Sequence, residues 1–269
     1  MSLHHRLRRY WLTLALLGLL PLAHADTHES LSAAVESLWS SEQTSTSVLG
    51  SSFTRQVSKA GSEYRTEAKD APSYLETAGE SAWLVMGKQR FDAVATPWGK
   101  FPRLDLRDGR LLEINLPDRR YQVIASSGAG LFGVGDWRRY GFLHVIDVST
   151  PSAPTYYPLY ADANLGEHAL GRLPGSAVLN YARLVPASRN KAGEIEAYEV
   201  SLYALGGKGP ERLFREGAPL AYQLKQEDDG WVIDSVGRTP VTNERDEEHR
   251  SFTTPLRPPL FLVRENAKE

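Results

Sequence analysis

The sequence predicts a mainly β protein of antiparallel meanders with one short helix near its N-terminus. Three features carry that prediction. From Ala82 onward, short apolar runs alternate with turn chemistry such as Gly87-Lys88, Pro117-Asp118 and Glu227-Asp228-Asp229-Gly230, which is the pattern of hairpins. No amphipathic helix of ordinary length separates those runs, and parallel strands need such crossovers. The chain also has no cysteine among its 269 residues, so burial rather than a disulfide framework has to hold the fold.

Taken in order, residues 1–25 combine Arg6, Arg8 and Arg9 with an apolar run from Trp11 to Leu20, a break at Pro21 and the triplet Ala23-His24-Ala25. That is the layout of a secretory signal peptide cut before Asp26. The run is shorter than the ~20 apolar residues that span a bilayer, and no cysteine follows the cut to carry a lipid. Loss of the leader removes those three arginines and no acid, which takes the formal charge from −2 to −5. A mildly acidic surface disfavours nucleic acid and anionic membranes as partners. The expected location is periplasmic or secreted.

Within residues 26–73, Leu31, Val35, Leu38 and Trp39 recur at helical spacing behind a capping start at residues 27–30, which predicts the short helix. The Ser/Thr-rich stretch 40–52 leads to a linker or short hairpin around Ala60-Gly61. Residues 74–237 form the antiparallel β domain. Its strand candidates are AWLVM, RFDAVAT, RLDL, LLEINL, RYQVIAS, GFLHVIDV, TYYPLY, SAVLNYARLV, EIEAYEVSLYAL, LAYQLKQ and WVIDSV. Residues 238–269 hold a charged segment and a last apolar strand candidate, LFLVRE.

Three units read alike: LLEINL-PD-RRYQVI, LHVIDV-STPSA-PTYYPL and YEVSLYAL-GGKGP-ERLF. Each is an apolar strand, a Pro/Gly turn and a second strand. In FLHVIDV both alternating sets are largely apolar, as a central strand requires. Pro158 in TYYPLY cannot donate to a ladder, which puts that strand on an edge. The units resemble the last two strands of a β-propeller blade, with an inner strand buried on both faces and an outer edge strand. The resemblance implies a propeller-like repeat. The copies begin near Leu111, Leu143 and Tyr198, a spacing that departs from the ~40–45 residues of a blade.

A second set of segments, the N-terminal helix with SSFTRQV, AWLVMGKQRF, DGRLLEINLPDRRYQVI and YQLKQEDDGWVI, resembles the strand series of the periplasmic lipoprotein-carrier family. That resemblance implies an open antiparallel barrel holding acyl chains, with residues 128–219 as an insertion. A β-sandwich is the third architecture compatible with the strands.

Several motifs invite chemistry and fail on context. Gly128, Gly130 and Gly133 spell G-x-G-x-x-G after a strand, with Asp147 downstream. A dinucleotide fingerprint needs a helix opening at the third glycine, and only VGDWRRYG precedes the next strand. Beyond the leader the histidines are His28, His144, His168 and His249, with no H-E-x-x-H pair, so no metal is expected. His144 in an apolar strand reads as a core histidine satisfied by Asp136 or a backbone carbonyl. Asp162, Asn164 and Glu167 alternate as calcium ligands do but lack the complete loop, and an Asx turn is expected there. Asp228-Asp229 and Glu247-Glu248 are neighbours whose side chains diverge, unlike a glycosidase pair.

Aromatics are the remaining signal. Trp98, Phe101, Trp137, Tyr140, Tyr156, Tyr157 and Tyr160 lie in or beside predicted loops; most are expected in the core. The candidate binding residues are Trp137, Arg138 and Arg139, where a guanidinium beside an indole can hold carboxylates, together with Tyr156 and Tyr157. The expected function is an exported periplasmic binding or assembly protein without catalysis or cofactor. Its partner would be an envelope protein, glycan or lipid. A lipid or lipoprotein carrier and an envelope glycan hydrolase are the alternatives.

Overall fold

The computed structural model describes residues 27–28, 30–40, 44–77, 81–93, 95–100, 106, 109–126 and 140–235. In chain order the elements are β1 (Thr27–His28), α1 (Leu31–Glu36), β2 (Ser45–Gly50), β3 (Thr54–Ser58), β4 (Gly61–Arg65), β5 (Ser73–Thr77), β6 (Ala82–Met86), β7 (Gln89–Asp92), β8 (Ala95–Thr96), β9 (Gly99–Lys100), β10 (Arg110–Leu116), β11 (Arg119–Ser126), β12 (Tyr140–Asp147) and β13 (Thr155–Asp162). There follow β14 (Leu170–Gly171), β15 (Leu179–Arg189), β16 (Ile195–Leu205), β17 (Glu211–Arg212), β18 (Phe214–Arg215), β19 (Ala218–Pro219), β20 (Ala221–Glu227) and β21 (Gly230–Ser235). No helix among the described residues is long and apolar enough to cross a membrane.

Three antiparallel sheets carry the fold. The first is the meander β3-β4-β5-β6-β7; the second runs β13-β12-β11-β10-β2; the third runs β1-β21-β20-β16-β15-β14, with β17 on β16. The first sheet spans residues 54–92 and opens with β3-β4, the short hairpin around Ala60-Gly61, while β2 of the Ser/Thr-rich stretch edges the second sheet. Among the described residues the sheets do not close into a ring.

The second sheet lies between the other two. Every residue of β12 is buried, as the two apolar sets of FLHVIDV require. One face carries Tyr121, whose hydroxyl donates to Leu205 O at 3.1 Å and accepts from Leu179 N at 3.3 Å. Tyr157 on the same face donates to Gly207 O at 2.8 Å. These phenols reach across to the third sheet and satisfy backbone groups that would otherwise be buried alone. The opposite face carries His144 and Tyr156, whose rings meet Tyr74 at 5.6 Å and Phe91 at 5.3 Å in the first sheet.

At one margin of the second sheet, Arg183 of β15 is almost wholly buried. Its Nε donates to Tyr160 Oη at 3.1 Å, and its guanidinium lies 4.9 Å from the ring centroid of Trp98. Trp98 in turn meets Tyr160, Tyr181 and Tyr203 edge-on or tilted. A guanidinium keeps its charge at any accessible pH, so an indole face and phenol oxygens are the environment that makes its burial tolerable.

Pro158 lies on β13, an edge of the second sheet, where its missing N–H costs nothing. The three sequence units map differently from three blades. LLEINL-PD-RRYQVI and LHVIDV-STPSA-PTYYPL are the consecutive hairpins β10-β11 and β12-β13 of one sheet. The third unit ends in the two-residue β17. Because β11 pairs with β12, it is an interior strand.

The helix forms as the spacing predicts. Ser30 caps it, accepting from Ala33 N at 3.1 Å, and Leu31, Ala34 and Val35 face the core. Trp39 just beyond it donates Nε1–H to His168 O at 3.0 Å and lies flat on Gly171. A Cβ at residue 171 would sit 2.2 Å from Trp39 Cγ, so only glycine admits that ring.

Two outcomes check this packing. Tyr121→Phe strips the partner from two buried backbone groups and lowers urea stability by roughly 1–3 kcal/mol. Gly171→Ala expels Trp39 and costs about 1–3 kcal/mol as an overpacked site, with a red shift in tryptophan emission as the indole reaches water.

Candidate functional site

A groove of about 720 Å3 between the first and second sheets combines apolar walls with polar groups. Two turns of the first sheet overhang it. One is Ala68-Lys69-Asp70-Ala71 between β4 and β5, in which Asp70 adopts φ +59°, a conformation uncommon for a residue with a side chain. The other is Met86-Gly87-Lys88-Gln89, where Gly87 supplies φ +58° for the tight β6-β7 turn. The facing wall is the β12-β13 turn, with Val148, Pro151, Ser152 and Pro154. Gln89 Nε2 donates to Ser152 O at 3.3 Å and ties the walls together.

The β12-β13 wall is held firmly. Asp147 accepts from Arg119 Nη1 at 2.7 Å and from Ser149 N at 2.9 Å. Val148 N donates to Arg120 O at 2.8 Å, and Arg120 N to Ser149 Oγ at 3.0 Å. Asp147 thus ends its strand and starts the turn, with its carboxylate committed to structure.

The floor is made by the second sheet, where Glu113 of β10 stands directly opposite Gln122 of β11. Glu113 accepts from Asn115 Nδ2 at 3.2 Å and lies 4.0 Å from Arg120 Nη1. Gln122 is 6% exposed, and its Oε1 is buried with no hydrogen-bond partner. A buried amide oxygen of this kind is rare and points to a ligand or a bound water. Lys69, Lys88 and Arg120 face Asp70 and Glu113 around the opening, so the lining offers donors and acceptors of both charges beside Leu49, Met86 and the prolines. No histidine lines it, and Ser152 supplies its one hydroxyl side chain.

Beside the groove, the interface of the first two sheets holds His144. Its Nδ1 shares a 2.7 Å hydrogen bond with Tyr156 Oη, and its Nε2 is buried without a partner. The expected partner was Asp136 or a carbonyl; the structure supplies the Tyr156 hydroxyl instead, and Asp136 lies outside the described residues. Burial alone lowers His144 to about 4, so the ring is neutral at pH 7. Burial likewise holds Tyr156 well above the usual phenol range.

A smaller cleft of about 200 Å3 runs past Arg110, Ser126, Asn164, Glu167 and His168. Its charges are paired: Arg110 with Glu167 at 2.6 Å, and His168 with Glu36 at 2.6 Å. The expected Asx turn forms there, with Asn164 N donating to Asp162 Oδ1 at 2.9 Å. Asp162 is buried rather than solvated, and its second oxygen accepts from Tyr198 Oη at 2.7 Å. Among the described residues, no group of three or more His, Cys, Asp or Glu side chains could hold a metal ion.

Of the binding residues expected from sequence, Trp137, Arg138 and Arg139 lie outside the described residues, as do residues 128–133 of the glycine motif. Tyr156 is partly buried against Phe91 and His144. Tyr157 has no exposed surface, and its hydroxyl is the tether to Gly207. Trp98, Tyr140 and Tyr160 are core residues. The groove residues Lys69, Lys88, Glu113, Arg120 and Gln122 were not singled out by sequence reasoning. One signal did exist: a glutamine interrupting the apolar run of RYQVIAS.

No protein-family model matches the chain, no curated protein matches its sequence, and no solved structure matches its fold.

The buried histidine sets a pH dependence. Its folded value is about 4 against about 6.5 when unfolded, so the unfolded state binds the extra proton between those values. The stability it permits is complete above pH 6.5 and is lost as pH falls towards 4. Urea titrations should show about 2 kcal/mol of this loss between pH 7 and 4.5, and His144→Leu should abolish that portion of the slope while retaining the rest.

Proposed function

We propose that the chain is an exported, non-catalytic binding or assembly module of the cell envelope, and that it takes an extended polypeptide segment of a partner in the groove between its first two sheets. The observation that carries this reading is the groove itself: about 720 Å3, open along the sheet, with the orphaned Gln122 amide on its floor. A peptide backbone brings N–H and C=O groups at regular intervals. Gln122, Gln89 and Ser152 can meet those groups, while the mixed charges of Lys69, Lys88, Arg120, Asp70 and Glu113 select side chains. Sugar platforms rely on stacked aromatic rings, and no aromatic residue lines this groove.

Export rests on the leader-like first 25 residues, which lie outside the described residues. The face-to-face stacking of successive meanders supports a propeller-like scaffold. An acyl-chain carrier would need an empty apolar cup. Between the second and third sheets stand instead Tyr121 and Tyr157, each 0% exposed, whose hydroxyls reach Leu205 O and Gly207 O. For a glycan hydrolase, Asp147 and Asp162 would have to be released from the partners that now hold them.

A phage-displayed library of random peptides, selected on the full chain, tests the reading. Enriched peptides should bind the native protein and lose at least about tenfold in affinity, about 1.4 kcal/mol, on Ala71→Trp, which fills the groove from its rim. The melting temperature of that variant should stay near the native one. Peptides that bind both proteins equally, or no enrichment at all, would sink the proposal.

A further inference from the structure

The three sheets end in six outer strands, and five of them are guarded. In the first sheet, β3 carries Arg55 and β7 carries Arg90 and Asp92. In the third sheet, β1 and β14 are two residues long. In the second sheet, β13 carries Pro158. Charge, proline and brevity are the devices that keep sheet edges from pairing with other chains.

The sixth, β2, has none of them. Its sequence Ser-Thr-Ser-Val-Leu-Gly is uncharged and proline-free, and Ser45 to Leu49 are all exposed. Val48 is 59% and Leu49 37% exposed. Its only pairing is with β10, and among the described residues no backbone hydrogen bond outside that ladder involves residues 45–50. A bulge displaces Leu49 between Val48 and Gly50, but it is confined to the C-terminal end and leaves Ser45 to Val48 in regular register. Alternate N–H and C=O groups of those residues therefore point outwards, unpaired by any other described residue.

We infer that this edge is the contact between two copies of the chain, with β2 pairing antiparallel to its own counterpart. The second copy is the occupant that the edge fits. An isologous contact must be self-complementary, and an uncharged Ser/Thr strand with one exposed valine opposes no like charges when it meets itself. A two-fold axis normal to the sheet preserves its faces, so each residue meets one on its own face. Centring the axis on Val48 sets valine against valine and covers the most exposed apolar side chain of the strand. The two five-stranded sheets then become one continuous sheet. Both peptide grooves open on the same side of it next to the axis, because Leu49 lines each. A six-residue edge buries less than the ~1,200–2,000 Å2 of a stable interface, so the association is weak and concentration-dependent.

The absence of native cysteine makes the test direct. Single substitutions Thr46→Cys, Ser47→Cys and Val48→Cys are oxidised mildly at high protein concentration, with Val57→Cys on β3, where the native side chain is 72% exposed, as the control. Directly opposed residues of an antiparallel pair stand ~4.5–5.5 Å apart at Cα, within disulfide reach, so the position on the axis cross-links first. Val48→Cys is expected to form dimer at least about tenfold faster than Val57→Cys, and native protein should show a dimer by sedimentation that Val48→Lys dissolves. Equal rates at all four positions, or a native mass that stays monomeric at the highest concentration reached, would overturn the inference. Folding is not at stake, since every substituted side chain is exposed.

Discussion

The fold depends on the burial of one strand from both sides. β12 has no solvent face, so the second sheet must be covered twice, and the other two sheets are arranged around that requirement. A strand with apolar side chains on both faces gains burial at roughly 25 cal/mol per Å2 on each face. It also removes every backbone group of the strand from water, and ladders on both sides satisfy those groups. The two covers differ in chemistry. Towards the third sheet, phenol hydroxyls from Tyr121 and Tyr157 are bonded to the carbonyls of Leu205, the last residue of β16, and Gly207 just beyond it. Towards the first sheet, the contact is aromatic and imidazole packing around His144.

The groove exists where the first cover stops. Along β10 the burial alternates, leaving Glu113 and Asn115 half exposed, and Arg120 is more open still. The first sheet reaches over this region only with its turns at residues 68–71 and 86–89. Polar side chains on the second sheet therefore meet a roof of turns rather than a packed layer. Gln122 sits at the boundary, buried by its neighbours yet lacking the partner that a packed polar core would supply. β2, which edges the second sheet beyond β10, is exposed from Ser45 to Leu49.

The histidine and the arginine show how differently two buried cationic residue types are accommodated. His144 gives up its charge on burial; its Nδ1 is bonded to the Tyr156 hydroxyl, while its Nε2 is buried without a partner. Arg183 cannot do so. It is placed instead against the Trp98 indole face and the Tyr160 hydroxyl, a setting that stabilises a delocalised cation.

The sequence by itself determined the class of fold, the hairpins at Gly87, Pro117 and Asp228-Asp229-Gly230, the capped helix, the doubly buried strand and the edge character of Pro158. These are local matters: turn geometry needs particular residues at particular φ values, and side-chain alternation reports how many faces of a strand are covered. Which strands shared a sheet was decided only by the tertiary structure. The units beginning at Leu111 and Leu143 look like repeats of separate blades, yet they are two hairpins of one sheet, because a strand's own sequence records burial but not the identity of its neighbour. The groove was illegible for the same reason. Its residues come from five separate stretches, between Leu49 and Pro154, and each is an ordinary polar or turn residue until a second sheet is laid across the first. Tyr156 and Tyr157 illustrate the reverse case: aromatic side chains that sequence placed at a recognition surface are drawn into the core, because covering both faces of the second sheet leaves large rings more contact inside than outside.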